Sequence, residues 1–281
     1  MTDEVEQQVT GDASGRPSRP GAEPVLARRV TTSAPLRAAM AEPGRQSARS
    51  AVADALWVLL PTAAWVSVGE TLVAAALGGG AAQPMSYPVL LLNMAIRVIL
   101  VWRLIAWRLR VRKQRPALIG WTARNLVVEG ALGLPTAVVL LMVSVAMAVW
   151  LMLLWPELLS VVYKNRQAGL METFPKMDVW QWIVLPIVVA AIEEPLFRGL
   201  LQQRLTVALG HPLWGVIAQA ALFGGPHLYE GPTAALSIFY LGVILGALTW
   251  WRRSLVPAMV AHALFNMVNF ALIHFLRGYT V

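Results

Sequence analysis

Residues 132–155 read LGLPTAVVLLMVSVAMAVWLMLLW, a run that contains no charged side chain. A bilayer core about 30 Å thick needs roughly 20 apolar residues in a helix, so this run is long enough to cross it. The whole chain shares this character, because 57% of its 281 residues are hydrophobic, only 14% are charged and the mean hydropathy is +0.60. Ordinary soluble domains do not reach these values. The chain is therefore predicted to be a membrane protein.

The apolar runs predict an all-α fold, a polytopic membrane helix bundle of about seven transmembrane helices. The predicted spans are residues 54–77, 88–107, 132–155, 180–203, 213–225, 233–251 and 255–276. Residues 1–50 are rich in Pro, Gly, Ser, Ala and Arg and lack apolar periodicity, so they predict a disordered N-terminal tail. No apolar signal-peptide region occurs near Met1, so the first membrane helix is expected to act as an uncleaved insertion signal.

Positive charge is unevenly distributed between the two sides of this bundle. Alternating spans place sixteen Lys and Arg on the side of the tail and four on the other side. Short loops with excess Lys and Arg face the cytoplasm, so the tail is predicted inside and the C-terminus outside. The net charge of +8 is then explained by topology and attraction to the lipid bilayer, not by nucleic-acid binding. Ala, Arg and Gly usage is typical of a high-GC bacterium, which predicts an integral inner-membrane location.

Tryptophan positions agree with these boundaries, because amphipathic indole rings prefer the edges of the bilayer. The tryptophans near predicted helix ends are Trp107, Trp155, Trp180, Trp182, Trp214, Trp250 and Trp251.

Two charged residues lie inside the first two predicted spans, where an unpaired charge is energetically expensive. Glu70 and Arg97 are at similar depths, about 12 and 13 Å from the short connection between these spans at 1.5 Å per helical residue. The matched depths predict a structural ion pair between Glu70 and Arg97. The alternative is that each residue has a separate partner.

A denser group of charges occurs in the fourth predicted span, where the sequence reads Ile192-Glu193-Glu194-Pro195-Leu196-Phe197-Arg198-Gly199. Arg198 follows Glu194 by four residues on the same helical face, so an ion pair is expected to keep Glu194 ionised. Glu193 points about 100° away and is left available for another task. A carboxylate in a low-dielectric site is suited to act as a general base. Taken alone, the same cluster also fits a salt bridge at a helix end.

Two further polar motifs follow in the last hundred residues. The run Gly224-Gly225-Pro226 breaks a helix just before His227, and irregular backbone at membrane depth is tolerated only beside protein or a water-filled cavity. His227 is therefore expected to face such a cavity, although a capped loop histidine is the simpler alternative. His262 and Asn266 are four residues apart, so both point the same way. They are either site residues or an interhelical hydrogen-bond pair.

Depth along the helices tests whether these groups can meet. Glu193 lies 11 residues before Arg204 and His262 lies nine after Arg253, so both are roughly 13 to 16 Å below the cytoplasmic boundary. His227 would be deeper, roughly 22 Å, unless its helix tilts or ends at the glycine break. Phe223 is expected to pack beside the site, and His211 and His274 are expected to be structural.

Three motifs resemble, in order, those of the CAAX-prenyl endopeptidase and bacteriocin-processing family, also called CPBP or Abi: Glu193-Glu194-x-x-x-Arg198, Phe223-x-x-x-His227 and His262-x-x-x-Asn266. The resemblance covers about residues 180–276. It implies an intramembrane protease whose all-helical fold encloses a cavity open to the cytoplasm. The chain would then divide into a cytoplasmic tail (1–50), N-terminal transmembrane helices (51–179) and a catalytic core (180–281).

Carried over to this chain, the resemblance implies that Glu193 activates a water molecule. His227, His262 and Asn266 would position that water and stabilise the oxyanion. Glu194 and Arg198 would support them. Zinc is a possible cofactor, with Glu193, His227 and His262 as its ligands, but the same groups can polarise water directly, and the metal-free glutamate mechanism is preferred here.

The absence of some residues narrows the chemistry further. The chain has no cysteine, and it lacks the His-Glu-x-x-His and Gly-x-Ser-Gly motifs of other membrane proteases. Two non-proteolytic alternatives stay open: a membrane immunity or scaffold protein of the same family that binds a partner, and a transporter, because broken helices and buried charges also mark substrate pathways. Prenylated proteins are not expected in a bacterium, so the predicted substrate is a peptide or membrane protein in general.

Overall fold

The computed structural model describes residues 46–77, 86–122, 125–155 and 178–278, except for the side chains of residues 74, 229 and 273–278. Within these ranges every regular element is a helix, which confirms the predicted all-α class. Most of the predicted disordered tail, residues 1–45, lies outside the described residues. Its predicted end at residue 50 is wrong, because Ser47 caps a helix that starts at Ala48 by accepting a hydrogen bond from the Ser50 N–H at 3.2 Å.

The described residues in the first half of the chain form four α-helices. They are α1 (Ala48–Ala64), which continues through a π-helical turn (Trp65–Gly69) into α2 (Glu70–Ala76), then α3 (Tyr87–Val111) and α4 (Leu126–Leu154), with a 3₁₀ turn (Pro116–Ile119) before α4.

The second half forms five more α-helices within its described residues. They are α5 (Val179–Glu194), which continues through a π-helical segment (Pro195–Leu201) into α6 (Gln202–Leu209), then α7 (Pro212–Gly224), a 3₁₀ segment (Gly225–Glu230), α8 (Pro232–Arg252) and α9 (Val256–Gly278).

Every predicted membrane segment coincides with a helix. By length and composition, four helices among the described residues can cross a membrane: Ala48–Val73, Tyr87–Val111, Leu126–Leu154 and Pro232–Arg252. A shorter apolar helix covers Val256–Leu272. The chain is therefore an integral membrane protein, while the exact number of seven spans stays a prediction.

Two buried apolar clusters hold the helices together. One cluster joins α1 and α3 to the helix that starts at Val179, through residues such as Val58, Ile105 and Leu200. The other joins α4, α7, α8 and α9, through residues such as Leu140 and Leu245. Phe197 packs against both clusters. The π-helical segment that contains Phe197 therefore lies where the two halves of the described bundle meet.

A close approach between α4 and α9 fixes the position of the last helix. A Cβ atom added at Gly133 would lie only 2.5 Å from the Val260 Cβ atom, so no larger residue fits at this crossing. Gly133 thus allows α9 to pack tightly on α4, as small residues do between membrane helices. His262 follows Val260 by two residues, so this contact also restricts the position of a candidate site residue.

The structure agrees with most predictions for the charged and tryptophan side chains of these helices. Arg97 Nη2 contacts Glu70 Oε1, which confirms the predicted ion pair. Six of the seven tryptophans assigned to helix ends are exposed, whereas Trp182 is buried in the protein. A further ion pair was not predicted: Arg252 Nη2, at the end of α8, lies 2.6 Å from Glu129 Oε1, near the start of α4.

Candidate active site

The candidate site is built on the break between α5 and the π-helical segment. Pro195 has no N–H, so the Ala191 carbonyl loses the hydrogen bond that a regular helix would provide. The Trp102 indole of α3 replaces it, donating from Nε1 to the Ala191 oxygen at 3.0 Å. The carboxylates of Glu193 and Glu194 thus lie in a backbone segment that a neighbouring helix holds in place.

Glu194 is the buried member of this carboxylate pair. Arg198 Nη1 donates to Glu194 Oε1 at 3.0 Å, and neither side chain is exposed at all, which confirms the predicted ion pair. His262 Nδ1 lies 2.7 Å from the same oxygen. An ionised carboxylate only accepts hydrogen bonds, so the His262 Nδ1 atom must carry the proton. Glu194 therefore sets both the orientation and the tautomer of the His262 ring.

Glu193 lies on the other side of the same imidazole. Its Oε2 atom is 3.7 Å from His262 Nε2, and its side chain is 23% exposed, in contrast to the fully buried Glu194. The His262 ring is thus placed between the two carboxylates, with Nδ1 toward Glu194 and Nε2 toward Glu193. Of the two carboxylates, Glu193 is the one that a water molecule or a substrate can reach.

Phe223 near the end of α7 packs against this cluster, as predicted. The Arg198 guanidinium carbon lies 4.2 Å from the centroid of the Phe223 ring, a cation–π contact inside the protein. The same ring lies edge-on to His262, at a centroid distance of 6.1 Å, and to Phe197, at 4.9 Å. Phe223 therefore covers the side of the buried ion pair that faces α7.

His227 lies beside Phe223. The α-helix ends at Gly224, as the Gly-Gly-Pro run predicts, and His227 lies in the 3₁₀ segment that follows. Its Nδ1 atom is 3.0 Å from the Phe223 carbonyl oxygen, and its ring centroid is 5.9 Å from that of Phe223. A carbonyl oxygen can only accept, so His227 Nδ1 is the donor in this hydrogen bond.

The structure therefore joins four of the six candidate residues by direct contact: Glu193, Glu194, Arg198 and His262. Asn266 lies one turn after His262 on α9 and is partly buried. The convergence of Glu193, His227, His262 and Asn266 around one water molecule stays a prediction. His211 caps α7 by accepting from the Leu213 N–H at 3.2 Å, in line with its predicted structural role, and the His274 side chain lies outside the described residues.

Glu193, His227 and His262 are the predicted zinc ligands. Among the described residues, no three His, Asp or Glu side chains form a group that could hold a metal ion. His262 Nδ1 is engaged by Glu194, and His227 Nδ1 faces a backbone carbonyl, contacts that metal-bound histidines also make. Zinc binding by Glu193, His227 and His262 stays a prediction.

Several polar atoms around the ion pair have no hydrogen-bond partner among the described residues. They are Glu194 Oε2, Arg198 Nε and Arg198 Nη2. Buried polar atoms of this kind are usually satisfied by ordered water.

Residues 175–268 match the family model of type II CAAX prenyl endopeptidase Rce1-like proteins. The matched segment contains all six candidate residues, and it confirms the resemblance predicted from the three motifs. The match, with the apolar helices, supports a membrane peptidase of the CAAX-protease type. No curated protein and no solved structure matches the chain.

Proposed function

We propose that this protein is an intramembrane endopeptidase that hydrolyses a peptide bond with a water molecule activated by Glu193. The observation that carries the proposal is the position of His262 between a fully buried carboxylate and a partly exposed one. Glu194 orients the ring, and Glu193 faces the solvent-accessible side. One carboxylate is thus structural and the other is available for acid–base chemistry, a division of roles that environment imposes on many carboxylate pairs.

In the proposed resting state, the neutral His262 ring keeps its lone pair on Nε2, because its proton is on Nδ1. The Nε2 and Glu193 Oε2 atoms are then two acceptors 3.7 Å apart. A single water molecule can donate one hydrogen to each of them. This arrangement would hold the water oxygen with a lone pair directed away from both acceptors, toward an incoming carbonyl carbon.

The proposed reaction balances as an ordinary hydrolysis. Glu193 removes a proton from water as the oxygen attacks the carbonyl carbon, and the carbonyl electrons move to its oxygen. The amide group of Asn266 and the imidazole of His227 are proposed to stabilise the resulting oxyanion. Glu193 then delivers its proton to the amide nitrogen, and the carbon–nitrogen bond breaks to give an acid and an amine.

The proposed setting is a bacterial inner membrane with the N-terminus in the cytoplasm, which the distribution of Lys and Arg supports. The proposed substrates are peptides or membrane proteins that reach the site from the bilayer or the cytoplasmic side.

A comparison of membrane peptidomes tests the proposal and identifies the substrate. Cells with the wild-type protein should contain cleaved fragments that are missing in Glu193→Gln cells, because the amide keeps the shape of the side chain but removes the base. Glu70→Gln, compared at equal amounts of protein in the membrane, is a control, since it makes the same change in a carboxylate outside the candidate site. Identical peptidomes in wild-type and Glu193→Gln cells would instead favour a membrane scaffold or immunity protein.

A further inference from the structure

A second buried cluster of charges lies where α1, α3 and α6 meet. The Asp54 side chain is completely buried and contacts three arginines: Arg108 Nη2 contacts Asp54 Oδ1, Arg112 Nη2 is 3.0 Å from Oδ1, and Arg204 Nε is 3.4 Å from Oδ2. Among the described residues, three guanidinium groups around one carboxylate leave two positive charges of this cluster without a counter-charge.

The remaining partners of these arginines are neutral. Arg204 Nη1 donates to Gln46 Oε1 at 2.9 Å, and its Nη2 atom donates to Gln114 Oε1 at 2.6 Å. Amide oxygens satisfy hydrogen-bond donors but do not cancel charge. The excess of positive charge therefore stays in a site where both Arg108 and Arg204 are buried, and burial makes uncompensated charge expensive. An anion bound nearby would remove this cost.

Arg112 connects the cluster to the protein surface. Its side chain is 32% exposed, whereas those of Arg108 and Arg204 are 8% and 2% exposed. Lys113 and Arg115, which follow it in the chain, are exposed. An anion that approaches from outside would thus meet Arg112 first, with two more cations beside it.

Two exposed indoles lie next to the same cluster. Trp57 and Trp107 are 55% and 42% exposed, and their rings meet edge-on with centroids 5.7 Å apart. The Arg108 guanidinium carbon lies 5.0 Å from the Trp107 ring, so the aromatic pair and the charges form one continuous surface. Exposed tryptophans beside Lys and Arg are typical of the headgroup level of a membrane.

We propose that the exposed side of this cluster, formed by Trp57, Trp107, Arg112 and Lys113 over the buried Asp54, Arg108 and Arg204, binds an anionic phospholipid. The phosphate would lie against Arg112 and Lys113, since the planar guanidinium matches phosphate geometry, and the glycerol and upper acyl chains would cover the two indoles. A free phosphate ion would supply the charge but would leave both rings uncovered. The aromatic pair therefore favours a lipid over a soluble anion.

The proposal is tested with the purified full chain in a neutral detergent, by its thermal unfolding midpoint during titration with phosphatidylglycerol, phosphatidylcholine or inorganic phosphate. Phosphatidylglycerol is expected to raise the midpoint at concentrations where phosphatidylcholine and phosphate do not. Each Lys or Arg near a membrane surface contributes about 1 kcal/mol to anionic lipid binding, so Arg112→Gln should weaken the apparent affinity about fivefold. Arg103→Gln is the matched control, because Arg103 is exposed on α3 and contacts no member of the cluster in the described structure.

Three results would overturn the proposal. One is an equal response to phosphatidylglycerol and phosphatidylcholine, which needs no variant and so decides the case even if Arg112→Gln does not fold. The second is an equal loss of affinity in Arg103→Gln and Arg112→Gln, which would indicate diffuse electrostatic attraction. The third is a full response to inorganic phosphate alone, which would show a site for free anions.

Discussion

The Trp102 indole donates a hydrogen bond to the Ala191 carbonyl at 3.0 Å, across 89 residues of sequence. This carbonyl is the one that Pro195 leaves without its helical partner. The bond joins α3 to the backbone immediately before Glu193 and Glu194, so the geometry of the candidate site depends on a helix that contributes no residue to its chemistry.

Trp102→Phe should therefore destabilise the protein while it keeps the aromatic ring. An unpaired carbonyl costs about 1–3 kcal/mol, which corresponds to a fall of several degrees in the unfolding midpoint. Thermal unfolding in detergent measures this, with Trp214→Phe as the control on an exposed tryptophan.

Pro195→Ala distinguishes the hydrogen bond from simple packing of the indole. Alanine restores the missing N–H, so Trp102→Phe should have a smaller effect in the Pro195→Ala background than in the wild type. Equal effects in both backgrounds would contradict the assigned role of the Trp102 N–H.

Substitutions at Glu194 and Arg198 distinguish the effect of this ion pair on stability from its effect on peptide cleavage. Glu194→Gln should lower stability by about 3–5 kcal/mol, because it leaves the Arg198 guanidinium buried without a counter-charge. Glu194→Gln with Arg198→Met should recover most of that stability. Cleavage should stay low in the double variant, on the order of 100-fold below wild type, because a Gln side chain no longer fixes the His262 tautomer.

Parallel measurements of unfolding midpoint and peptide cleavage check this prediction. A double variant that recovers both stability and cleavage would show that Glu194 serves only to compensate Arg198.

The ion pair of Glu70 and Arg97 should behave as a structural pair in the membrane. Arg97→Leu leaves a carboxylate unpaired at membrane depth, which costs about 3 kcal/mol, so its abundance in membranes should fall. The additional change Glu70→Gln should restore abundance, as measured by immunoblot of the membrane fraction. If the single and double variants are equally scarce, the pair does not stabilise the fold.

Chelation tests the metal-free chemistry of the site. Cleavage by the purified protein should be unchanged by a chelator such as EDTA, because the proposed base and its positioning residues act directly on water. Loss of cleavage with chelator and its recovery with added zinc would replace this proposal with a metal-dependent mechanism.

Local rules of the sequence were sufficient to predict part of this structure. The apolar runs located the helices, the four-residue spacing located the contact between Glu194 and Arg198, and equal depth located that between Glu70 and Arg97. Each of these relationships depends on distance along a helix axis, which the sequence determines directly.

Contacts that depend on how helices are rotated against each other could not be predicted in this way. The pattern shows His262 and two glutamates at similar depth, but not that Nδ1 would face Glu194 and Nε2 would face Glu193. Pro195 indicates an unpaired carbonyl, but the donor lies on a distant helix. The first predicted apolar span begins at Asp54, and its sequence does not indicate that three arginines surround this residue.

Turnover of a substrate fragment by purified Glu193→Gln protein tests whether Glu193 is the base of a peptide hydrolase. We expect kcat to fall by about 10²–10⁴, the usual contribution of a general base, while the unfolding midpoint and substrate affinity stay near wild type. Glu70→Gln, corrected for the amount of folded protein, should keep its turnover. Wild-type turnover by folded Glu193→Gln protein would contradict the claim.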